Sequence, residues 1–271
     1  MISKKKAIVK FHRLILKYVT IFDQHKIKGG RPRKFPIDFY IKFILSVLVD
    51  GLPWINLYHT VGNKTIFVGD MVRKCFYSWS SNKIFSNAYN ELRSRYKKKV
   101  GIKTYKKLYI DSTVIPNGNG TKGHYAYKLP NKKSYKVTIL CDDNKIIHAN
   151  KFNNSSTHDS KLILETVNST NVLKNTQIMG DCGYIAHKTV VAKLKKKKIE
   201  LISCLRKNMK KKLSNEHKKL LKKRYLVEHT FSHLKRGYKR LSVIMDRNFK
   251  NLYSWFTIVN TIRIFSFLEK T

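Results

Sequence analysis

The feature that most constrains this chain is a change of hydrophobic period at Lys97-Lys98-Lys99. Before it, Phe11, Leu14, Ile15, Tyr18, Val19 and Phe22 recur at helical spacing, as do Ile37, Ile41, Ile44, Leu45 and Leu48 after Pro36, a residue suited to a helix start. Two further helices are expected near 64–79 and 82–97, beyond the break at Gly51-Leu-Pro-Trp54. After the lysines, short apolar runs at 107–111, 135–141 and 146–152 read as strands, the last two joined by a hairpin turn at Asp142-Asp-Asn-Lys145. Then helices (159–168, 187–197) alternate with strands (177–181, 200–205). A long helix over 214–236, ended by Gly237, and an apolar helix over 252–267 complete the chain. A strand hairpin followed by such alternation predicts an α/β fold, a mixed sheet with flanking helices, over 101–271, preceded by a helical region over 1–100.

Charge narrows the function. The chain carries 57 Lys+Arg against 16 Asp+Glu, a net +41, yet 42% of it is hydrophobic, so it can build a core. A folded protein this basic repels itself unless a polyanion neutralises it, which makes nucleic acid the first partner to consider. No apolar run is long enough to span a bilayer, and Lys10, His12, Arg13 and Lys17 interrupt any signal-peptide core, so neither a membrane partner nor secretion is expected. Four scattered cysteines form no CxxC pair, which suits a reducing compartment and argues against a zinc knuckle. In the helical region, Lys28-Gly-Gly-Arg-Pro-Arg-Lys34 is a basic turn between helices, so Arg31, Arg33 and Lys34 are candidate DNA contacts of a helix-turn-helix-like element. A helical bundle that merely packs against the rest is the other reading.

With so few acids, each carboxylate can be weighed. Asp111 ends an apolar run and precedes Ser112-Thr113, where a side chain projects from a sheet's edge into a crevice. Asp181 does the same in Met179-Gly-Asp-Cys-Gly-Tyr184, whose glycines let a backbone or phosphate approach closely. Glu228 lies in Arg224-Tyr-Leu-Val-Glu-His-Thr-Phe-Ser-His-Leu-Lys235, where Arg224, Glu228, Phe231 and Lys235 share one helical ridge and Val227 and Leu234 the core stripe beside it. Such a ridge completes a carboxylate metal site and holds phosphate beside it; an exposed ion-pair ridge is the plainer alternative. His229 and His233, four apart, lack a third soft ligand and read as surface histidines. Asp159 is explained equally as an early-helix acid or as a neighbour of the site. Trp54, Trp79 and Trp255 read as core, and Asp142-Asp143 as solvent-exposed.

These motifs together resemble the DDE transposases of bacterial insertion sequences, the related groups numbered four and five. Gly30-Arg-Pro-Arg33, Gly51-Leu-Pro-Trp54 and Trp79 resemble the family's N-terminal region. Ile110-Asp-Ser-Thr113 resembles its first-Asp motif, Lys136-Val-Thr-Ile-Leu-Cys-Asp142 the strand after it, Thr157-His-Asp-Ser160 the motif before the next helix, and Gly180-Asp-Cys-Gly-Tyr184 the second-Asp motif. Arg224, Glu228 and Lys235 match the signature Y-x-x-R-x-x-x-E-x6-K, with Leu221 at the Tyr position. The resemblance implies an RNase H-like core in which Asp111, Asp181 and Glu228 are catalytic and hold two Mg²⁺ ions, or Mn²⁺, with Asp111 bridging them. It further implies that Arg224 and Lys235 hold DNA phosphates, and that a homodimer acts on double-stranded DNA, the element's terminal inverted repeats and its target.

The chemistry agrees. Two-metal phosphodiester cleavage needs carboxylates that hold hard divalent ions about 3.5–4 Å apart, and the freed 3′-OH then serves as the nucleophile of strand transfer. The expected function is therefore cleavage and strand transfer by a transposase, in the bacterial cytoplasm at the nucleoid, or in the nucleus or a viral replication site for a eukaryotic or viral host. A non-catalytic DNA-binding descendant is the alternative, favoured by Leu221; an RNA-packaging protein would explain the charge but not the carboxylates.

Overall fold

A computed structural model describes residues 4–24, 33–101, 106–118, 124–126, 129–170, 175–206, 208–209, 212–243, 245–246 and 248–270, and of 124–126 and 129–132 the backbone alone. The chain divides into two compact units, Met1–Gly101 with Lys235–Thr271, and Ile102–Leu234. The single boundary expected at 100/101 therefore misses that the C-terminal segment packs with the N-terminal helices.

In the first unit, α1 (Lys4–Gln24) and α2 (Ile37–Asp50) follow the predicted apolar stripes, burying Phe11, Ile15 and Val19, and Ile41, Ile44 and Leu48. A hairpin of β1 (Tyr58–Val61) and β2 (Lys64–Phe67) then precedes α3 (Gly69–Ser81) and α4 (Ile84–Val100). The helix expected near 64–79 begins only at Gly69. The β-branched residues on either side of Gly62-Asn63 instead pair as strands, with Gly62 at φ 58° in a two-residue turn. Helix α3 starts at Gly69, where a Cβ would lie 1.8 Å from the Trp54 carbonyl oxygen. The last helix of the chain, α9 (Phe249–Leu268), is apolar nearly all round because it is the centre of this unit, packed against α1 and α4. Trp54, Trp79 and Trp255 are core, as expected, with Phe76 stacked on Trp255 at 4.1 Å.

The second unit holds the mixed sheet. Its strands are β3 (Lys107–Pro116), β4 (His124–Ala126), β5 (Leu129–Cys141), β6 (Ile147–Asn154), β7 (Thr176–Gly180) and β8 (Ile199–Ser203). They lie in the order β4-β5-β3-β7-β8, with β6 also paired to β5. Strands β3, β5 and β6 form an antiparallel meander, and β7 and β8 extend it in parallel. Helices α5 (Asp159–Asn168), α6 (Lys188–Lys196), α7 (Asn215–Lys222) and α8 (Tyr225–Gly237) flank the sheet, giving the RNase H-like α/β fold. The single helix expected over 214–236 is two, α7 and α8. Between them Leu226 and Val227 donate to the carbonyls of Lys223 and Arg224, three residues back, which tightens the chain into a turn without a glycine or proline to announce it.

Candidate active site

Asp111 owes its place to where two neighbours of β3 diverge. On one side β5 pairs with β3 as far as Pro116, so Asp111 lies mid-strand opposite Ile139 and does not end the strand as its sequence suggested. On the other side the pairing with β7 stops at Tyr109 and Met179, so from Ile110 onward that edge opens. Asp181 follows directly after β7, so both aspartates lie just past the last paired rung of the parallel β3–β7 ladder, the usual side for a site in an open α/β sheet.

Asp181 caps the short turn Cys182–Tyr184, its Oδ1 accepting the Gly183 N–H at 2.8 Å. Gly180 is required by packing within the unit: a Cβ there would stand 2.9 Å from Tyr184 Cβ and 3.0 Å from Ile110 Cγ2. No room is left at Gly180 for the phosphate that the sequence suggested.

Glu228 comes from α8, which is fixed by buried Leu226, Val227, Thr230, Phe231 and Leu234. Phe231, assigned to the polar ridge by helical phase, is in the core with Val227. The Glu228 carboxylate remains half in solvent and is joined to Asp111 through Arg224. Arg224 donates from Nη2 to Glu228 Oε1 at 2.7 Å, while its Nη1 stands 3.7 Å from Asp111 Oδ2. The guanidinium thus occupies the position of a cation between two acids.

Burial raises the Asp111 carboxyl to about 6, the nearby charges of Asp181 and Glu228 adding to the rise while the Ser112 N–H and Arg224 oppose it. The Ser112 amide donates to Asp111 Oδ1 at 2.8 Å. The Ser112 hydroxyl lies 2.8 Å from Thr138 Oγ1 and 2.6 Å from the Tyr184 hydroxyl, a chain of hydroxyls beneath the two aspartates. Burial pushes the Tyr184 phenol well up, so it stays neutral. Sequence reasoning missed this chain; the strand register that sets Ser112 opposite Thr138 is a pairing that no local pattern announces.

The donors fit a hard divalent ion: carboxylate oxygens, a mutual repulsion that a cation relieves, and an arginine standing in for that cation. Among the described residues no group of three or more His, Cys, Asp or Glu is already gathered into an ion cage.

The other sequence candidates have surroundings of their own. Arg33 is committed to Asp23, donating from Nη2 to Oδ1 at 2.8 Å, so the turn does not hold it out to solvent. Lys34 is exposed, and Arg31 lies outside the described residues. Lys235 sits in the last turn of α8, beyond the boundary between the units. His229 and His233 are exposed, as expected. Asp142, read as an exposed turn residue, is buried: its Oδ1 accepts the Asn144 and Ile146 amides and its Oδ2 lies 2.8 Å from His148 Nε2. Asp159, left between two readings, is the first residue of α5 and pairs with Lys136.

Two aspartates from adjacent strands and a helical glutamate thus belong to one RNase H-like unit. The Transposase DDE domain family matches residues 102–261, more than half of the chain, and the chain belongs to that family. No curated protein and no solved structure matched it.

Proposed function

We propose that the protein is an active transposase that binds double-stranded DNA at the ends of its element, cleaves it in a Mg²⁺- or Mn²⁺-dependent reaction, and joins the freed 3′-OH to target DNA. The observation that carries this reading is the Arg224 bridge between Asp111 and Glu228, with Asp181 on the adjoining strand, in a transposase-family core. Asp111, Asp181 and Glu228 would hold the ions. When bound, the ions activate the attacking hydroxyl and stabilise the leaving oxygen.

The chain's own groups supply the rest. Asp111, held by the Ser112 amide, presents a carboxylate whose ionisation a divalent ion favours over a proton. Arg224, already beside the acids, would serve as a phosphate ligand next to the cut, where its forked guanidinium orients the scissile group. The neutral Tyr184–Ser112–Thr138 hydroxyl chain holds the floor of the site without adding charge. Lys34, exposed at the start of α2, contacts duplex backbone, as does Lys235 at the end of α8. A homodimer that pairs two element ends completes the assembly.

The deciding experiment is incubation with DNA carrying the flanking terminal repeats, with and without Mg²⁺. Cuts at the repeat ends that vanish with chelator are expected. A protein that binds these ends yet never cuts them, in Mg²⁺ or Mn²⁺, is the non-catalytic descendant instead.

A further inference from the structure

Behind the site lies a second charged pair with no place in the carboxylate triad. Lys136 is opposite Val114 in the β3–β5 ladder, on the same face as Ser112 and Thr138 and on the face opposite Asp111. It is 13% exposed, and its Nζ donates to the Thr157 carbonyl at 2.6 Å and to Asp159 Oδ1 at 3.1 Å. A single cation thus ties the start of α5 to the middle of the sheet. The free oxygen of Asp159 then faces the turn that holds Asp181. A Cβ built on Gly183 would meet Asp181 Oδ1 at 3.0 Å and Asp159 Oδ2 at 3.2 Å, so both carboxylates close on one point that only glycine leaves open.

Two anions on one turn repel unless one is neutralised, and Lys136 neutralises the rear one. We propose that Lys136 and Asp159 are a positioning pair for Asp181: Asp159 backs the Gly183 turn so that Asp181 keeps Oδ1 on the Gly183 amide and offers Oδ2 forward, while Lys136 cancels the charge that would push Asp181 away. This rests on the reading of Asp181 as a metal ligand. It explains why a half-buried acid stands at this helix start, where favourable interaction with the helix dipole alone would not require a lysine from the sheet. Tyr184, the other residue of the turn, feels the charges of Asp159, Asp111 and Asp181 together, which places Asp159 within the electrostatic reach of the site.

The pair makes a prediction about sign that a purely structural role does not. In the full-length protein, Asp159→Asn leaves the Lys136 charge uncompensated behind Asp181 and should weaken Mn²⁺ binding, followed by electron paramagnetic resonance, about tenfold. Lys136→Met leaves the Asp159 charge uncompensated and should shift Mn²⁺ affinity the opposite way. Both should lower cleavage at saturating Mn²⁺. The double variant, neutral at both positions, should return Mn²⁺ affinity to within about twofold of the parent. Should Lys136→Met not fold, Asp159→Asn and Gly183→Ala carry the test; the latter should lower cleavage and Mn²⁺ affinity together while circular dichroism stays unchanged. The proposal is overturned if the foldable variants bind Mn²⁺ and cut like the parent, or if the double variant lies no nearer the parent than the worse single one. A parent protein that neither binds Mn²⁺ nor cuts overturns the underlying metal-site reading as well.

Discussion

Asp111→Asn should stabilise the metal-free catalytic unit at neutral pH while abolishing cleavage. The Asp111 carboxyl is raised from 3.8 to about 6, chiefly by burial and further by Asp181 and Glu228. Each unit of such a shift is about 1.4 kcal/mol, so ionised Asp111 costs the native state about 2–3 kcal/mol above pH 6. Because the folded-state value lies above the unfolded one, the native protein binds more protons between roughly pH 4 and 6, and stability falls as pH rises through that window. Asparagine keeps the shape and removes the charge. It should therefore be the more stable form at pH 7.5 by about 1–3 kcal/mol, with the advantage shrinking toward pH 4, where aspartate is itself protonated. Saturating Mg²⁺ should stabilise the parent and not the variant. Trp54, Trp79 and Trp255 all belong to the helical unit, so their fluorescence is blind to this change. Hydrogen exchange of peptides from β3 and β7, measured across pH and with or without metal, reads it directly. A variant that exchanges faster than the parent at pH 7.5 without metal would refute the electrostatic account of the site.

Asp181→Asn and Glu228→Gln should each remove nearly all cleavage, with losses that do not add in the double variant, while gel-shift affinity for duplex DNA survives. Asp246→Ala should destabilise the helical unit by about 3–5 kcal/mol, read by tryptophan fluorescence in urea, because it strands a buried cation. Asp246 Oδ2 accepts from Arg240 Nη2 at 3.1 Å and from Trp255 Nε1 at 3.0 Å, and the Arg240 guanidinium lies over both Trp54 and Trp255. DNA affinity should fall linearly with log salt, with a slope of about −0.9 per phosphate contacted. Lys34→Ala should lessen that slope, whereas Arg33→Ala should lower the melting temperature through loss of the Asp23 pair.

What could be read from the sequence was whatever local periodicity or turn chemistry controls. The strands through Asp111 and toward Asp181 are apolar runs, α5 starts at its acid, and the stripe of α2 is unbroken, so these elements stand where expected. The misses differ in kind. The docking of α9 on α1 and α4 is decided by contacts between residues distant in the chain, whereas Asp142 is buried by amides and a histidine within six residues of it. For α9 the signal was present in its nearly uniform hydrophobicity, which marks a helix surrounded on all sides rather than one lying on a sheet. The hairpin at 58–67 is different, since its Gly-Asn turn is flanked by the β-branched pairs Thr60-Val61 and Thr65-Ile66, a signal that the helical reading overran. At the site, local context singled out the three acids as candidates, and their roles rest on the family resemblance. Neither identified the partner that fixes each: Ser112 for Asp111, Gly183 for Asp181 and the bridging side of Arg224 for Glu228.

That last contact bears on how the proposed reaction is ordered. Arg224 holds Glu228 more closely than Asp111, at 2.7 Å against 3.7 Å, so the Asp111 half of the bridge is the weaker one. Loss of that half leaves the guanidinium on a single exposed acid, where an ion pair is worth about 0–1 kcal/mol and is readily exchanged for a phosphate. Metal and DNA should then bind cooperatively, each favouring the arrangement in which Arg224 has left the acids. Arg224→Met should remove that coupling. Metal-free protein carrying it should suffer stronger repulsion among Asp111, Asp181 and Glu228, and bind Mn²⁺ more tightly in the absence of DNA. Adding duplex DNA should tighten Mn²⁺ binding in the parent but much less in the variant. Titrations of Mn²⁺ with and without DNA check this; equal enhancement by DNA in both proteins would show that the arginine is a fixed strut and takes no part in the exchange.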